Sequence, residues 1–260
     1  MSAGPGVIVG STSVVQDSVF RAVRGDGLAV ALYGSQARGT ARPDSDIDVL
    51  QLVPERPGGY SDGKVNVTAY LPRTLRVMAE RGSLFVLHLK MDAQILDDST
   101  GQLLDILNAY HPPADYGPLF AELRAASAAL IEVSDTAKYA LRLRALGIYL
   151  LRTILYARLA ESGQPTFDIA EAVRRLPSSS VSSALAARLR EPEPLRDLDL
   201  IRAAVSELVG DLPPNPWNSV EALAVELSRK NTYAASLLSQ TVFASEDSGL
   251  EYTALTPPPL

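Results

Sequence analysis

The chain has 260 residues, of which 47% are hydrophobic and 21% charged, with a formal net charge of −6. This length suffices for one large or two small domains. The acidic balance argues against broad non-specific binding to nucleic acid, and the lack of cysteine excludes disulfides and cysteine-ligated zinc. With no apolar run near the roughly 20 residues of a membrane span and no signal-peptide pattern at residues 1–13, we expect no membrane partner and a cytoplasmic location.

The first 110 residues mix helical and strand patterns. In chain order the predicted elements are a helix at 13–23, strands at 28–33, 47–53 and 64–71, helices at 72–81 and 84–93, an edge strand at 94–98 and a helix at 99–110. Residues 54–63, rich in proline and glycine, are predicted to be a turn region.

Residues 111–118 contain three prolines and a glycine and form the clearest linker. Beyond them the pattern is helical only, with helices expected at 119–133, 135–162, 168–176, 181–190, 199–212 and 218–243. We therefore predict a first domain over residues 1–110, an all-α helical bundle over 118–245 and a C-terminal tail over 246–260.

Two acids open the second strand. Asp46 and Asp48 lie two residues apart, and side chains at that spacing on a strand share a face. Neighbouring carboxylates repel each other and are stable as a pair mainly when a cation bridges them. Mg²⁺ fits because it takes one or two carboxylates together with substrate phosphate oxygens. Asp46 and Asp48 are therefore the candidate metal ligands.

A Gly-Ser pair follows the first strand directly. Gly34 lets the backbone approach a ligand closely, Ser35 adds a hydroxyl donor, and residues 36–38 can begin a short helix whose free N–H groups face an anion. Arg38 and Arg42 are cations nearby, and Arg38 is a candidate to bind the triphosphate. Taken singly, such a pair is usually only a turn, and an Asp-x-Asp is usually a solvated face. Together they predict a nucleoside triphosphate site for phosphoryl chemistry.

The segment GSQARGTARPDSDIDV, residues 34–49, resembles the signature of the polymerase β-like nucleotidyltransferase superfamily: Gly-Ser, about ten residues, then Asp-x-Asp. The resemblance implies an α+β fold, in which a mixed β-sheet domain flanked by helices precedes the helical bundle. It also implies Mg²⁺-dependent transfer of a nucleoside monophosphate from a nucleoside triphosphate, with ATP the expected nucleotide, and release of pyrophosphate. Gly34 and Ser35 would hold the triphosphate, and Asp46 and Asp48 the metal.

The third acid of this family is missing at its expected position. In active members a carboxylate on the following strand helps to bind the catalytic metal and can act as a base. By spacing, the matching position here is Asn66, an uncharged amide that cannot take a proton. Asp62 and Asp92 are the alternative acids. Nucleotide binding is thus better supported than turnover.

The long helix after residue 134 carries two further candidates. Many superfamily members place a lysine of the helical domain on the triphosphate, and Lys138 in the first turn is the candidate. Arg142 can pair with a phosphate. Tyr139, Tyr149 and Tyr156 lie near the same face, and we expect at least two of them to pack inside the bundle.

Three functions remain open. The first is an enzyme that modifies a hydroxyl of a small molecule, an RNA or a partner protein, since the two-domain layout resembles that of aminoglycoside nucleotidyltransferases. The second is a toxin–antitoxin component, either an adenylylating antitoxin or a tRNA-modifying toxin. The third is a degenerate module that binds nucleotide with little turnover, which Asn66 favours.

Overall fold

A five-stranded sheet forms the centre of the N-terminal half in the computed structural model, which describes residues 9–25, 27–230 and 232–243. The strands are β1 (Ala29–Tyr33), β2 (Ile47–Leu52), β3 (Gly58–Asp62), β4 (Val65–Tyr70) and β5 (Gln94–Asp97). Their order across the sheet is β3-β4-β2-β1-β5. Because β2 and β4 run parallel while the other three pairings are antiparallel, the sheet is mixed, which confirms the predicted fold class for this half.

Helices cover both faces of this sheet. They are α1 (Val9–Ala22), α2 (Gly34–Arg38), α3 (Pro72–Glu80), α4 (Leu84–Asp92) and α5 (Gln102–Asn108). On one face, α1 packs against alternate strand residues such as Val30 and Val49. On the other, the rings of Tyr33 and Tyr70 each lie 5.7 Å from that of Phe85 in α4. The period-two alternation of side chains along a strand produces this division.

The hairpin of β3 and β4 corrects one expectation. The prediction of a turn region over residues 54–63 is wrong for Gly58–Asp62, which pairs antiparallel with β4. The segment Gly-Gly-Tyr-Ser-Asp has little β-propensity and no apolar alternation, and four of its five residues are exposed. Backbone pairing with β4, through a short loop containing Gly63 at φ +59°, makes it a strand.

The C-terminal half is helical, as predicted. Its helices are α6 (Gly117–Ser127), α7 (Thr136–Glu161), α8 (Ile169–Arg175), α9 (Ser179–Ala187), α10 (Pro194–Val209), α11 (Val220–Ser228) and α12 (Tyr233–Phe243), with a 3₁₀ turn at Ala128–Leu130. The 26-residue helix α7 lies in the core, and its Gly147 has no room for a Cβ because Ile201 of α10 occupies that space. The predicted segment 218–243 comprises two helices, α11 and α12.

The chain divides into two units, residues 1–113 and 114–260. The division lies within the predicted linker, while the predicted domain bounds stay predictions. The predicted tail, residues 246–260, lies outside the described residues. Among the described helices, none has both the length and the apolar character that a membrane span requires.

Candidate active site

Gly34 and Asp48 lie side by side where β1 passes into α2. Tyr33, the last residue of β1, pairs with Asp48 of β2, so Gly34 begins α2 beside that carboxylate. A Cβ built on Gly34 would lie 2.6 Å from Oδ2 of Asp48, and the φ of Gly34 is +73°. The lack of space for a Cβ and the left-handed torsion therefore both require glycine at this position. The Gly-Ser turn and the second acid are therefore direct neighbours in the structure.

The two acids flank a core residue. Ile47 is buried in the core beneath α1, while Asp46, directly before β2, is exposed and Asp48 is half-buried. Alternation along the strand places the carboxylate of Asp48 on the face opposite Ile47, and the two-residue spacing predicts the same face for Asp46. Across the described part of the chain, no group of three or more His, Asp or Glu side chains could hold a metal. Two carboxylates still fit Mg²⁺, because it retains waters and takes phosphate oxygens as further ligands.

Asn66 occupies the strand position next to Asp48. The parallel pairing of β2 with β4 makes these two residues register partners, so their side chains leave the sheet on the same face. Oδ1 of Asn66 accepts a hydrogen bond of 2.8 Å from the Ser61 hydroxyl. An amide therefore stands beside Asp48 where the resemblance implies a third carboxylate.

Asp62, one alternative acid, lies on the other face of the sheet. It pairs with Val65, which belongs to the core beneath α1, whereas the next pair along the hairpin joins Ser61 to Asn66. Paired residues point to the same face. The side chain of Asp62 therefore leaves the sheet on the face opposite Asp48 and Asn66.

Asp92, the other alternative, binds Arg38. Nη1 of Arg38 donates to Oδ2 of Asp92 at 2.6 Å, and Nε2 of His88 lies 3.3 Å from both atoms. All three side chains are at most 20% exposed. Arg38, which the sequence predicts on the triphosphate, thus joins α2 to α4. His88 had no predicted role, although its i,i+4 spacing from Asp92 on a predicted helix was the available signal.

The pKa of Asp92 lies below its ordinary value of 3.8. Burial raises the pKa, but the hydrogen bonds from His88 and Arg38, which favour the carboxylate, outweigh it. For an acid whose pKa is lower in the folded state, the stabilisation is complete above the unfolded pKa. It is lost as the pH falls through the folded value.

We expect Asp92→Asn to lower the free energy of unfolding by about 1.5–3 kcal/mol at pH 7, the usual contribution of a hydrogen bond to a charged group. The difference from the natural chain should shrink as the pH falls below 3.8, because the native carboxylate then takes up its proton. Urea unfolding at several pH values measures this. The control is Asp44→Asn, because the side chains of Arg42 and Asp44 are 54% and 70% exposed and solvent screens their ion pair, so its loss should hardly change the free energy of unfolding. Equal effects of the two variants at pH 7 would contradict the prediction.

The candidates in α7 have partners within the helical unit. Nζ of Lys138 donates to Oε1 of Glu221 at 2.5 Å, and this hydrogen bond raises the pKa of Lys138. Nη1 of Arg142 donates to the carbonyl of Val242 at 2.9 Å, near the end of α12. Their roles on the triphosphate stay predictions. The three tyrosines of α7 are buried, which confirms that they pack inside the bundle; they are Tyr139, Tyr149 and Tyr156.

Residues 19–80 match the family model described as Nucleotidyltransferase domain. This part of the chain is therefore similar to nucleotidyltransferase domains. The match confirms the resemblance to the polymerase β-like superfamily, and it includes the Gly-Ser turn, both acids and Asn66. The match supports nucleotidyl transfer as the general chemistry of this part of the chain. It likewise supports an enzyme of the transferase type in general.

Among solved structures, the chain is similar to a nucleotidyltransferase-like protein from Exiguobacterium sibiricum 255-15. The two share 12% sequence identity, with 85% of this chain and 78% of that chain covered, and the TM-score is 0.31. A likeness at this level supports no conclusion about the present chain. No curated protein matches the present chain.

Proposed function

We propose that the nucleotidyltransferase domain binds Mg²⁺ and a nucleoside triphosphate, with ATP the expected one, and transfers the nucleoside monophosphate to a hydroxyl acceptor. The observation that carries the proposal is the 2.6 Å between the Cβ position of Gly34 and Oδ2 of Asp48. It puts the turn that suits a phosphate directly against a carboxylate that suits the metal. The acceptor belongs to a small molecule, an RNA or a partner protein.

Each residue has a defined part in the proposed reaction. The Ser35 hydroxyl, which has no hydrogen-bond partner among the described residues, donates to a phosphate oxygen, and the backbone at Gly34 approaches the triphosphate closely. Asp46 and Asp48 hold the Mg²⁺, which when bound offsets charge on the phosphoryl group. The acceptor oxygen forms a bond to the α-phosphorus, pyrophosphate leaves with the bonding electrons, and the acceptor proton passes to a base.

The direct test uses the four nucleoside triphosphates labelled at the α-phosphate, each with Mg²⁺ and with or without candidate acceptors. Label should move to an acceptor with release of one pyrophosphate per transfer, and Asp48→Asn should abolish the transfer. Failure of every nucleoside triphosphate to bind in the presence of Mg²⁺ would refute the proposal.

We expect Gly34→Ala to weaken Mg²⁺–ATP binding because the new Cβ displaces the Asp48 carboxylate. Alanine in the left-handed torsion of residue 34 should also lower the free energy of unfolding by about 1–2 kcal/mol. Gly39→Ala is the matched control: its φ is +72°, but nothing lies within 4 Å of an added Cβ. Both variants should lose similar stability, while calorimetry should detect weaker binding for Gly34→Ala alone. Equal affinities of the two variants for Mg²⁺–ATP would show that Gly34 does not belong to the binding site.

A second function, nucleotide binding with little turnover, is favoured by the position of Asn66 beside Asp48. An amide at this place supplies neither a charge for a second metal nor a base for the acceptor proton. The label-transfer experiment distinguishes the two functions. A protein that only binds nucleotide should bind Mg²⁺–ATP but transfer no label to any acceptor.

A further inference from the structure

The short helix that begins with Gly34 and Ser35 is anchored at its C-terminal end. Nε2 of Gln94 in β5 donates to the carbonyl of Ala37 at 2.6 Å, and Arg38 pairs with Asp92 of α4. A helix of five residues is too short to be stable by itself, so tertiary contacts must hold it. The position of Gly34 and Ser35 beside Asp48 therefore depends on these contacts.

His88 contacts the chain on both sides of this helix. Its ring meets that of Tyr33, the residue before Gly34, edge-on at 5.6 Å, and its Nε2 lies 3.3 Å from Nη1 of Arg38. Both contacts come from one buried side chain of α4. His88 thus joins the entry and the exit of α2 to the same helix.

The guanidinium of Arg38 is directed into this cluster. Its side chain is 20% exposed, Nη1 binds Asp92, and Nε is buried without a hydrogen-bond partner among the described residues. Releasing Arg38 towards a phosphate would leave the carboxylate of Asp92, which is 12% exposed, without its closest cation. The geometry thus assigns Arg38 to α4 rather than to the ligand.

We propose that His88 and Asp92 are positioning residues of the nucleotide site: by holding Arg38 they fix α2, and with it Gly34 and Ser35, beside Asp48. The relevance of this to catalysis rests on the proposed function. A direct phosphate contact by Arg38 gives the opposite expectation. In that case Asp92 competes with the phosphate for Arg38, and its removal should tighten binding.

Amide hydrogen exchange of the full chain without nucleotide tests the anchoring itself. In Asp92→Asn and in His88→Gln, residues 34–40 should exchange about tenfold faster or more, as expected when charge-assisted hydrogen bonds are lost. Strands β2 and β4 should exchange faster only by the factor that the lower free energy of unfolding of each variant accounts for, because exchange in core strands follows global unfolding. Asp92→Glu, which retains the carboxylate, should exchange more slowly than Asp92→Asn, and Asp44→Asn should have no effect. Unchanged exchange at residues 34–40 in both test variants overturns the proposal.

The affinity for Mg²⁺–ATP gives the second measurement. Arg38→Gln, Asp92→Asn and the double variant should each weaken binding by a similar factor of about ten, because all three remove one and the same anchor. Tighter binding by Asp92→Asn, or losses that multiply in the double variant, would overturn the proposal in favour of a direct contact by Arg38. If the natural chain binds no nucleoside triphosphate, the proposed function fails, and hydrogen exchange still decides whether the cluster positions α2.

Discussion

Replacing both Asp46 and Asp48 with asparagine should weaken the affinity for Mg²⁺–ATP by more than about 100-fold. Changes in residues that only support a metal ligand typically cost 10- to 100-fold in metal affinity, and loss of two charged ligands should cost more. The fold should tolerate the change, because Asp46 is exposed, Asp48 is half-buried, and neighbouring carboxylates repel each other in the absence of a cation. An equal or higher free energy of unfolding in the double variant would thus accompany the loss of binding.

Isothermal titration calorimetry with ATP, in Mg²⁺ and in excess chelator, measures this effect. Asp62→Asn is the matched control, since it removes one carboxylate from the same sheet but from the opposite face. It should bind Mg²⁺–ATP as the natural chain does. Unchanged affinity in the Asp46 and Asp48 double variant would show that the metal site lies elsewhere.

Asn66→Asp should raise nucleotidyl transfer by about 10²–10⁴, the usual effect of a general base. The register partner of Asp48 would then supply both an anionic metal ligand and a proton acceptor on the same face. The carboxylate can still accept the hydrogen bond from Ser61, so the hairpin should be retained. Affinity for Mg²⁺–ATP should change far less than the rate, because Asp46 and Asp48 already bind the metal that arrives with the triphosphate.

Transfer of labelled nucleoside monophosphate measures the effect, with Asn66→Ala as the control that changes the side chain without adding a charge. The alanine variant should stay as slow as the natural chain. Rapid transfer by the natural chain that persists in Asn66→Ala would assign the base to another acid.

The candidate site could be predicted from sequence where its signal is local. The Gly-Ser turn and the two acids fall within 15 consecutive residues, from Gly34 to Asp48, and the second acid already belongs to β2. Steric demand at Gly34 and alternation along β2 act over one or two residues, and for that reason they appear in the pattern itself. The match of residues 19–80 to the nucleotidyltransferase domain model includes the same stretch.

The partner of Arg38 lies outside what a local pattern can indicate. A basic residue just after Gly-Ser suggests a phosphate ligand, yet its partner is Asp92, 54 residues along the chain. Strand β3 differs from the prediction for a related reason, because its own residues do not favour a strand and its pairing with β4 creates one. The partner of a strand and the partner of an ion pair both depend on how distant segments pack together. The residues of a single segment do not contain that information.

Sequence alone was enough to predict the α+β class, the order of most elements and the residues that open the candidate site, since each depends on torsions and spacing within a few residues. Only the folded chain shows which side chains meet. Folding makes Asn66 the register partner of Asp48, turns Asp62 to the opposite face and binds Arg38 to Asp92. These outcomes depend on strand register and helix packing, in which a shift of one residue reverses the face of every side chain in a strand.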